Sequence, residues 1–193
     1  MSFSQRVCAA LAGDRASRRA ANAAGFALCA ALMGYALYAQ FDLRLDPCPL
    51  CIFQRIGITA LGVIFLIAAL HAPRRWGSRV YALLIGLAAG ATIAVAGRQI
   101  YLQHLPPGEV PSCGAPLSVM LQFLPLTAVI RKVLTGSGEC GIIDWTFLGL
   151  SMAEWVLLWA VLLGVGGVAL NARNARPERL PMDRATRAGS SAR

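Results

Sequence analysis

The chain has 193 residues, of which 57% are hydrophobic and only 14% are charged, a balance too apolar for an ordinary soluble domain of this size. Its formal net charge of +9 arises mainly from arginines near both ends and in residues 74–79, with almost no aromatic residues among them. Because single-stranded nucleic acid is bound by basic residues interleaved with aromatic ones, this charge does not indicate nucleic-acid binding.

Four apolar stretches predict an all-α membrane protein, a four-transmembrane-helix bundle. They cover about residues 20–39, 50–70, 80–97 and 152–170, and each approaches the roughly 20 apolar residues that a hydrocarbon core requires. The first is not expected to be a cleaved signal peptide, because Gln40-Phe41-Asp42 follows it instead of small residues and three more spans come after it. A soluble bundle is disfavoured, because its helices would show polar faces.

The positions of the basic residues predict how these helices are oriented. Arginines cluster in residues 6–19, 74–79 and 173–193, three segments that four spans place on one side. The positive-inside rule makes that side cytoplasmic. We therefore expect a cytoplasmic basic arm (1–19) whose helix starts near Ser17, a membrane domain (20–172) and a cytoplasmic basic tail (173–193) without fixed structure.

Two loops are then expected on the outer side of the membrane. The first covers about residues 41–49. The second, about residues 101–151, is too long for a simple turn, which indicates a functional segment. Between Pro116 and Leu134 apolar residues dominate and Pro125 interrupts them, so this part is expected to form a short broken helix on the membrane surface.

The six cysteines divide according to this topology. Four are expected on the outer side, where disulfides persist, namely Cys48, Cys51, Cys113 and Cys140. Cys8 on the cytoplasmic side and Cys29 within the first span are interpreted as unpaired residues, and Cys29 as simple packing. The outer cysteines are thus the candidates for redox chemistry.

The sequence Cys48-Pro49-Leu50-Cys51 stands at the start of the second span. Proline is favoured at the first helical position, which puts Cys48 near the N-cap and Cys51 in the first turn. Unsatisfied amides and the positive end of the helix dipole stabilise a thiolate there, and a stable thiolate is a good leaving group. The two cysteines are therefore a candidate redox-active pair.

Two arginines lie near this pair. Arg55 follows Cys51 by one helical turn and lies on the same face. It either extends to the lipid headgroups, or holds the Cys51 thiolate or a quinone carbonyl, and one side chain can do more than one of these. Arg98, at the outer end of the third span, is either a second positive group at the site or an interface anchor.

Cys113 and Cys140 allow two interpretations, a structural disulfide that closes the loop or a second redox-active pair. Both adjoin glycine in backbone that is expected to be mobile and accessible, where another protein's thiolate can attack a disulfide. A zinc or iron–sulfur site is disfavoured, because one C-x-x-C with two isolated cysteines is not a zinc-ribbon pattern. No dinucleotide fingerprint or c-type haem motif is present, so no flavin, haem or metal is expected.

Several stretches together resemble the bacterial disulfide-bond formation protein B (DsbB) family. They are residues 48–55 (CPLCIFQR), 102–103 (LQ), 110–114 (VPSCG), and Cys140 with residues 144–152 (DWTFLGLSM). The resemblance covers about residues 20–172. It implies a multi-pass protein of the bacterial inner membrane with periplasmic redox loops. Such a protein reoxidises a DsbA-like thiol oxidase and passes the electrons to ubiquinone, with menaquinone as the alternative.

The resemblance also implies roles for the site residues. Cys113 would be attacked by the partner's thiolate, and Cys140 would resolve the mixed disulfide. Electrons would then reach the C-x-x-C pair by exchange, with Cys51 nearer the quinone. Arg55 matches the family's quinone-site arginine, whereas the position of Arg98 is more variable in the family.

Two other functions are compatible with parts of the pattern. One is a quinone reductase resembling vitamin K epoxide reductases, although those normally place the C-x-x-C late in the chain. The other is a non-catalytic membrane assembly or metal-binding protein whose disulfides are structural. Metal content after purification, together with thiol-dependent quinone reduction, distinguishes this second alternative from an enzyme.

Overall fold

The computed structural model describes residues 3–73, 76–106, 122, 125, 127–128, 138–141, 143 and 145–174. Within them, four long helices are α1 (Phe3–Phe41), α2 (Pro49–His71), α3 (Trp76–Gln103) and α4 (Met152–Asn174). Each contains a segment long and apolar enough to cross a membrane: Ala16–Phe41, Pro49–His71, Trp76–Gln103 and Met152–Ala172. The predicted four-helix membrane protein is therefore confirmed.

Two helices are longer than the sequence indicated. α1 begins at Phe3 and not near Ser17, because residues 3–16 contain no proline and are rich in alanine, a strong helix former. α3 continues past residue 97 to Gln103, because no strong helix breaker occurs before Pro106. Of the broken helix predicted between Pro116 and Leu134, only residues 122, 125 and 127–128 are among the described residues. The tail from residue 175 lies outside them.

The start of α2 follows the local rules of helix capping, as predicted. Cys48 is the N-cap residue in extended conformation, with φ −64° and ψ 162°, and Pro49 occupies the first turn. The Cys48 sulfur accepts a hydrogen bond from the backbone N–H of Cys51 at 3.3 Å. This bond satisfies one of the amides that a helix start leaves without a partner, and it brings the two cysteines together.

A short hairpin precedes α4 and is fixed to it. Its strands β1 (Thr146–Phe147) and β2 (Leu150–Ser151) pair antiparallel, and both turn residues have positive φ, 53° at Leu148 and 80° at Gly149. The backbone N–H of Ser151 donates to the Glu154 carboxylate at 2.6 Å, which is the capping-box arrangement at a helix start. The indole of Trp155 donates to the Phe147 carbonyl at 3.0 Å and holds the hairpin against α4.

The main buried cluster centres on Phe65 of α2 and draws on α1, α3 and α4. Its buried members are Cys29, Ile58, Leu61, Phe65, Ile85, Ala89 and Leu163. Two glycines make room for the ring. A Cβ added at Gly25 would lie 2.8 Å from Phe65 Cδ1, and a Cβ added at Gly167 would lie 2.7 Å from Phe65 Cζ. The close approach of α1 and α4 to this ring therefore requires glycine at both positions.

Phe65→Ala is expected to lower the free energy of unfolding by about 3–5 kcal/mol, because it removes a ring that packs against three other helices and leaves a cavity. Denaturant or thermal unfolding of the purified protein in detergent measures this loss. Leu70→Ala is the matched control on the same helix, since Leu70 is 69% exposed. Equal losses in the two variants would show that Phe65 is not the centre of the packing.

Candidate functional site

Two cysteine sulfurs lie together at the start of α2, and a third cysteine is buried beside them. The sulfurs of Cys48 and Cys51 lie 2.8 Å apart and are not joined by a disulfide in this structure. Cys140 packs with Leu50 and Leu102 in a second buried cluster, and Cys48 packs against that cluster. Cys48 therefore lies between Cys51 of α2 and a cysteine from the long outer segment, an order that suits thiol–disulfide exchange.

Cys140 is far less accessible than the sequence predicted. Only 1% of it is exposed, although glycines flank it on both sides of the 3₁₀ turn Gly138–Gly141. The expectation of an exposed, accessible Cys140 is wrong, because the apolar side chains of Leu50 and Leu102 cover the turn. Cys113 lies outside the described residues, so its pairing with Cys140 stays a prediction.

The environment of Cys48 favours its neutral thiol. Hydrogen bonding to Cys140, hydrogen bonding to Cys51 and burial raise the pKa of Cys48 above its ordinary value. A reduced cluster therefore keeps a proton on Cys48 at neutral pH. Cys48 is suited to be the sulfur that is attacked while it is part of a disulfide, a role that needs no thiolate at that position.

A cavity of about 920 Å³ borders the cysteine pair and lies between α1, α2 and α4. Its walls are mainly apolar, with Leu28 and Leu32 from α1, Ile58 from α2, and Val156 and Trp159 from α4. Both Cys48 and Cys51 line it, together with Arg55. The shape and lining suit an apolar, planar ligand that takes a few polar contacts at one end.

Arg55 lies at the wall of this cavity and extends towards α1. Its guanidinium donates to the Gln40 side-chain oxygen at 2.5 Å and to the Ala36 carbonyl at 3.0 Å. The side chain is thus held in place by the first helix, close to the cavity, and its donors are directed to α1 instead of to Cys51. The geometry brings Arg55 to the cavity that Cys51 lines, which is one of the placements that the sequence indicated.

Arg98 is not brought to the cavity. It is absent from the residues that line it, and its guanidinium carbon lies 5.2 Å from the centre of the Tyr101 ring, a cation–π contact one turn along α3. The cation–π contact fits the interpretation of Arg98 as an interface anchor, and a role for it as a second positive group at the quinone site stays a prediction. The adjacent Gln99 faces the cavity in its place.

Two glutamines that were not among the site residues predicted from the sequence contact the site. Gln54 and Gln99 are 3% and 4% exposed, and the Gln54 amide donates to Gln99 Oε1 at 2.6 Å. Gln99 Nε2 lies 3.3 Å from the Cys51 sulfur. The sequence did contain a signal that could have identified these glutamines, since both are polar residues inside apolar spans. Burying a polar side chain in the membrane interior costs free energy unless it has a hydrogen-bond partner.

The described residues contain no group of three or more His, Cys, Asp or Glu side chains that could hold a metal ion. Fold and site instead define a class: a multi-pass helical membrane protein with a dithiol pair at the wall of an apolar cavity.

The family model described as Disulfide bond formation protein DsbB matches residues 18–170. The chain is 49% identical over 146 residues to Disulfide bond formation protein B of Methylococcus capsulatus, covering 76% of this chain and 88% of that relative. It is also 49% identical over 162 residues to the protein of the same name from Xanthomonas oryzae pv. oryzae, covering 83% and 91%. The chain belongs to the DsbB family, which confirms the resemblance and makes it a disulfide-forming membrane oxidoreductase.

Proposed function

We propose that this protein oxidises the dithiol of a DsbA-like partner and passes the two electrons through two cysteine pairs to a membrane quinone. The observation that carries the proposal is the row of sulfurs from Cys140 through Cys48 to Cys51. Cys48 packs against the buried cluster that contains Cys140, the sulfurs of Cys48 and Cys51 lie 2.8 Å apart, and both Cys48 and Cys51 line the cavity. Thiol–disulfide exchange proceeds between sulfurs in contact, so this row supports transfer from the outer segment to the membrane.

The first exchange takes place at the outer segment. The partner's thiolate attacks Cys113 of a Cys113–Cys140 disulfide, forms a mixed disulfide and releases Cys140 as a thiolate. The burial of Cys140 supports attack at Cys113, because a soluble protein cannot reach a sulfur that is only 1% exposed. The partner's second thiolate then displaces Cys113, and the partner leaves with its disulfide formed.

The second exchange reduces the pair on α2. The Cys140 thiolate attacks Cys48, so that a Cys48–Cys140 disulfide forms and Cys51 leaves with the electron pair of the broken bond. Once the partner has left, the Cys113 thiolate attacks Cys140, restores the loop disulfide and releases Cys48 as a thiolate, which then takes up a proton. The balance is one partner disulfide formed and one Cys48–Cys51 disulfide reduced. The raised pKa of Cys48 favours protonation of its sulfur once it has been released.

The cavity fits a quinone as the electron acceptor. A bound quinone takes up two electrons and two protons and becomes a quinol. The apolar walls suit its ring and the first part of its tail, Arg55 supplies a positive hydrogen-bond donor at the wall, and Cys51 places its sulfur beside the same space. Ubiquinone is the proposed acceptor, and the same walls accept menaquinone, which is the alternative.

The charge distribution supports a location in the bacterial inner membrane. Among the described residues, Arg79 near the start of α3 and Arg173 near the end of α4 lie at helix ends opposite to the Cys48 end of α2, as do Arg18 and Arg19 at the start of the α1 span. The positive-inside rule then places both termini in the cytoplasm and the cysteine sulfurs at the periplasmic side. A periplasmic partner and a quinone dissolved in the bilayer would both reach the site in this orientation.

The proposal predicts partner-dependent quinone reduction that requires Cys113. Purified protein is mixed with a reduced DsbA-like protein and a soluble quinone analogue, and quinone absorbance is followed. Cys113→Ser is expected to lose turnover with the protein partner to the background rate, because the partner has no sulfur to attack. It should still form the Cys48–Cys51 disulfide, which thiol labelling and mass spectrometry detect.

Dithiothreitol serves as the control substrate for this variant. A small dithiol can reach the Cys48–Cys51 pair without the loop, so quinone reduction driven by dithiothreitol should survive in Cys113→Ser. Normal turnover of the variant with the protein partner would contradict the role of the loop. Absence of quinone reduction by the unmodified protein, with bound metal present instead, would favour the non-catalytic alternative.

A further inference from the structure

A pair of buried glutamine side chains connects α3 to the sulfur of Cys51. Gln54 lies on α2, three residues after Cys51, and Gln99 lies on α3. Their amides are joined by the hydrogen bond from Gln54 Nε2 to Gln99 Oε1, 2.6 Å long. Burying an amide without partners is costly, so these two side chains constrain each other inside the apolar bundle.

The bond to Gln54 sets the orientation of the Gln99 amide. Because Gln99 Oε1 accepts from Gln54, its Nε2 group faces Cys51 and lies 3.3 Å from the sulfur. Gln99 Oε1 lies 3.6 Å from the same sulfur, within reach of a thiol proton. One neutral amide can therefore contact Cys51 in both protonation states, as an acceptor for the thiol and as a donor for the thiolate.

Arg55 uses two of its five N–H donors on α1. Nη1 donates to the Gln40 side chain and Nη2 to the Ala36 carbonyl. In the reduced pair the Cys48 thiol lies 2.8 Å from the Cys51 sulfur, and Gln99 Nε2 is a further donor at 3.3 Å. While Cys48 is bonded to Cys140 it has no thiol proton, so the Gln99 amide is then the side-chain donor beside a Cys51 thiolate. A hydrogen bond from a fixed amide to an anion is stronger than one to a neutral group, because the charge strengthens the attraction.

We propose that Gln99 stabilises the Cys51 thiolate released by disulfide exchange, and that Gln54 is the positioning residue that fixes the Gln99 amide for this task. This inference rests on the proposed function only for the step that releases the thiolate. In that step the Cys140 sulfur bonds to Cys48, the Cys48–Cys51 bond breaks, and Cys51 leaves with the electron pair. The Gln99 N–H group already lies beside the sulfur that takes the charge, 3.3 Å away in this structure.

The experiment measures the reactivity of Cys51 without a partner or a quinone. The full-length Cys48→Ser protein in detergent is reduced and treated with iodoacetamide over a range of pH, and mass spectrometry follows alkylation of the peptide that contains Cys51. Adding Gln99→Met keeps the length of the side chain and removes its N–H donors. The alkylation rate at pH 7 should fall about tenfold, and the pH of half-maximal rate should rise by about one unit.

Two further variants keep the test decisive. Gln54→Met leaves the Gln99 amide present but unfixed, so it should produce a smaller shift in the same direction. Thr92→Val is the matched control, since Thr92 is a buried polar residue of α3 that donates to the Ala88 carbonyl. It should leave the profile of Cys51 unchanged.

The inference is overturned if Gln99→Met and Gln54→Met both leave the pH profile where it is, or if Thr92→Val moves it equally. Should Gln99→Met fail to fold, the comparison of Gln54→Met with Thr92→Val decides alone. Failure of quinone reduction in the unmodified protein would remove the proposed function and leave the alkylation result standing, so the two ideas fail separately.

Discussion

Cys140→Ser is expected to abolish partner-dependent quinone reduction, down to the rate measured without protein. Cys140 belongs to the buried cluster against which Cys48 packs, and its removal takes away the sulfur that is proposed to attack Cys48. The variant should also accumulate a covalent complex when it is given oxidised partner. The Cys113 thiolate attacks the partner's disulfide, and no Cys140 thiolate is present to resolve the mixed disulfide that forms.

Non-reducing gel electrophoresis detects this complex, and peptide mapping should locate it at Cys113. Cys29→Ser is the matched control, because Cys29 is also buried, 3% exposed, and lies in the main core away from the sulfur row. The control should retain turnover and form no complex. If Cys140→Ser gives no complex while Cys113 is still required for turnover, the order of exchange proposed here is wrong.

The start of α2 could be predicted from sequence because it depends on neighbours along the chain. Proline at the first helical position, a cysteine before it and another three residues later determine the N-cap without reference to any other helix. The observed N-cap at Cys48 and the 3.3 Å bond from the Cys51 amide agree with that prediction. Four apolar spans were predictable for the same reason, since each is a local property of about 20 residues.

The partner of Cys51 on α3 could not be predicted in this way. Successive residues on an α-helix are separated by about 100° around the axis, so choosing Arg98 or Gln99 depends on how α3 is rotated against α2. Charge alone favoured Arg98. The rotation directs Gln99 to the sulfur, while Arg98 packs over Tyr101 on a different side of the helix.

The burial of Cys140 is a second feature that depends on tertiary contacts. Glycine neighbours indicate a flexible, exposed segment when they are considered alone. The packing of Leu50 and Leu102, which come from two different helices, closes over the turn that contains Cys140. The two cysteines are therefore expected to have different roles. The buried Cys140 lies in the cluster against which Cys48 packs, and attack by a soluble partner is expected at Cys113.

Arg55→Met is expected to raise the Michaelis constant for quinone by about ten- to a hundredfold, if that constant follows binding. The estimate corresponds to losing one charge-assisted hydrogen bond of roughly 1.5–3 kcal/mol inside the apolar cavity. Steady-state kinetics with varied quinone and saturating partner measure it. Methionine keeps the length of the side chain and its apolar contacts, so the change tests the guanidinium.

The guanidinium also joins α2 to α1, which requires a control. Gln40→Leu removes one acceptor on α1 and keeps the charge of Arg55, so it reports the effect of loosening that contact alone. Arg98→Met removes a guanidinium that does not line the cavity and should leave the constant unchanged. A rise in Arg55→Met well above that in Gln40→Leu would identify binding as the cause.

A spectroscopic measurement separates quinone contact from turnover. In Cys48→Ser, Cys51 has lost its disulfide partner, and an electron-rich sulfur against an electron-poor quinone ring should absorb visible light by charge transfer. The band should be absent when Cys51 is also replaced and weaker in Arg55→Met, because both residues line the same cavity. An unchanged Michaelis constant together with an unchanged band in Arg55→Met would reduce Arg55 to a contact between α1 and α2 and would place the quinone elsewhere.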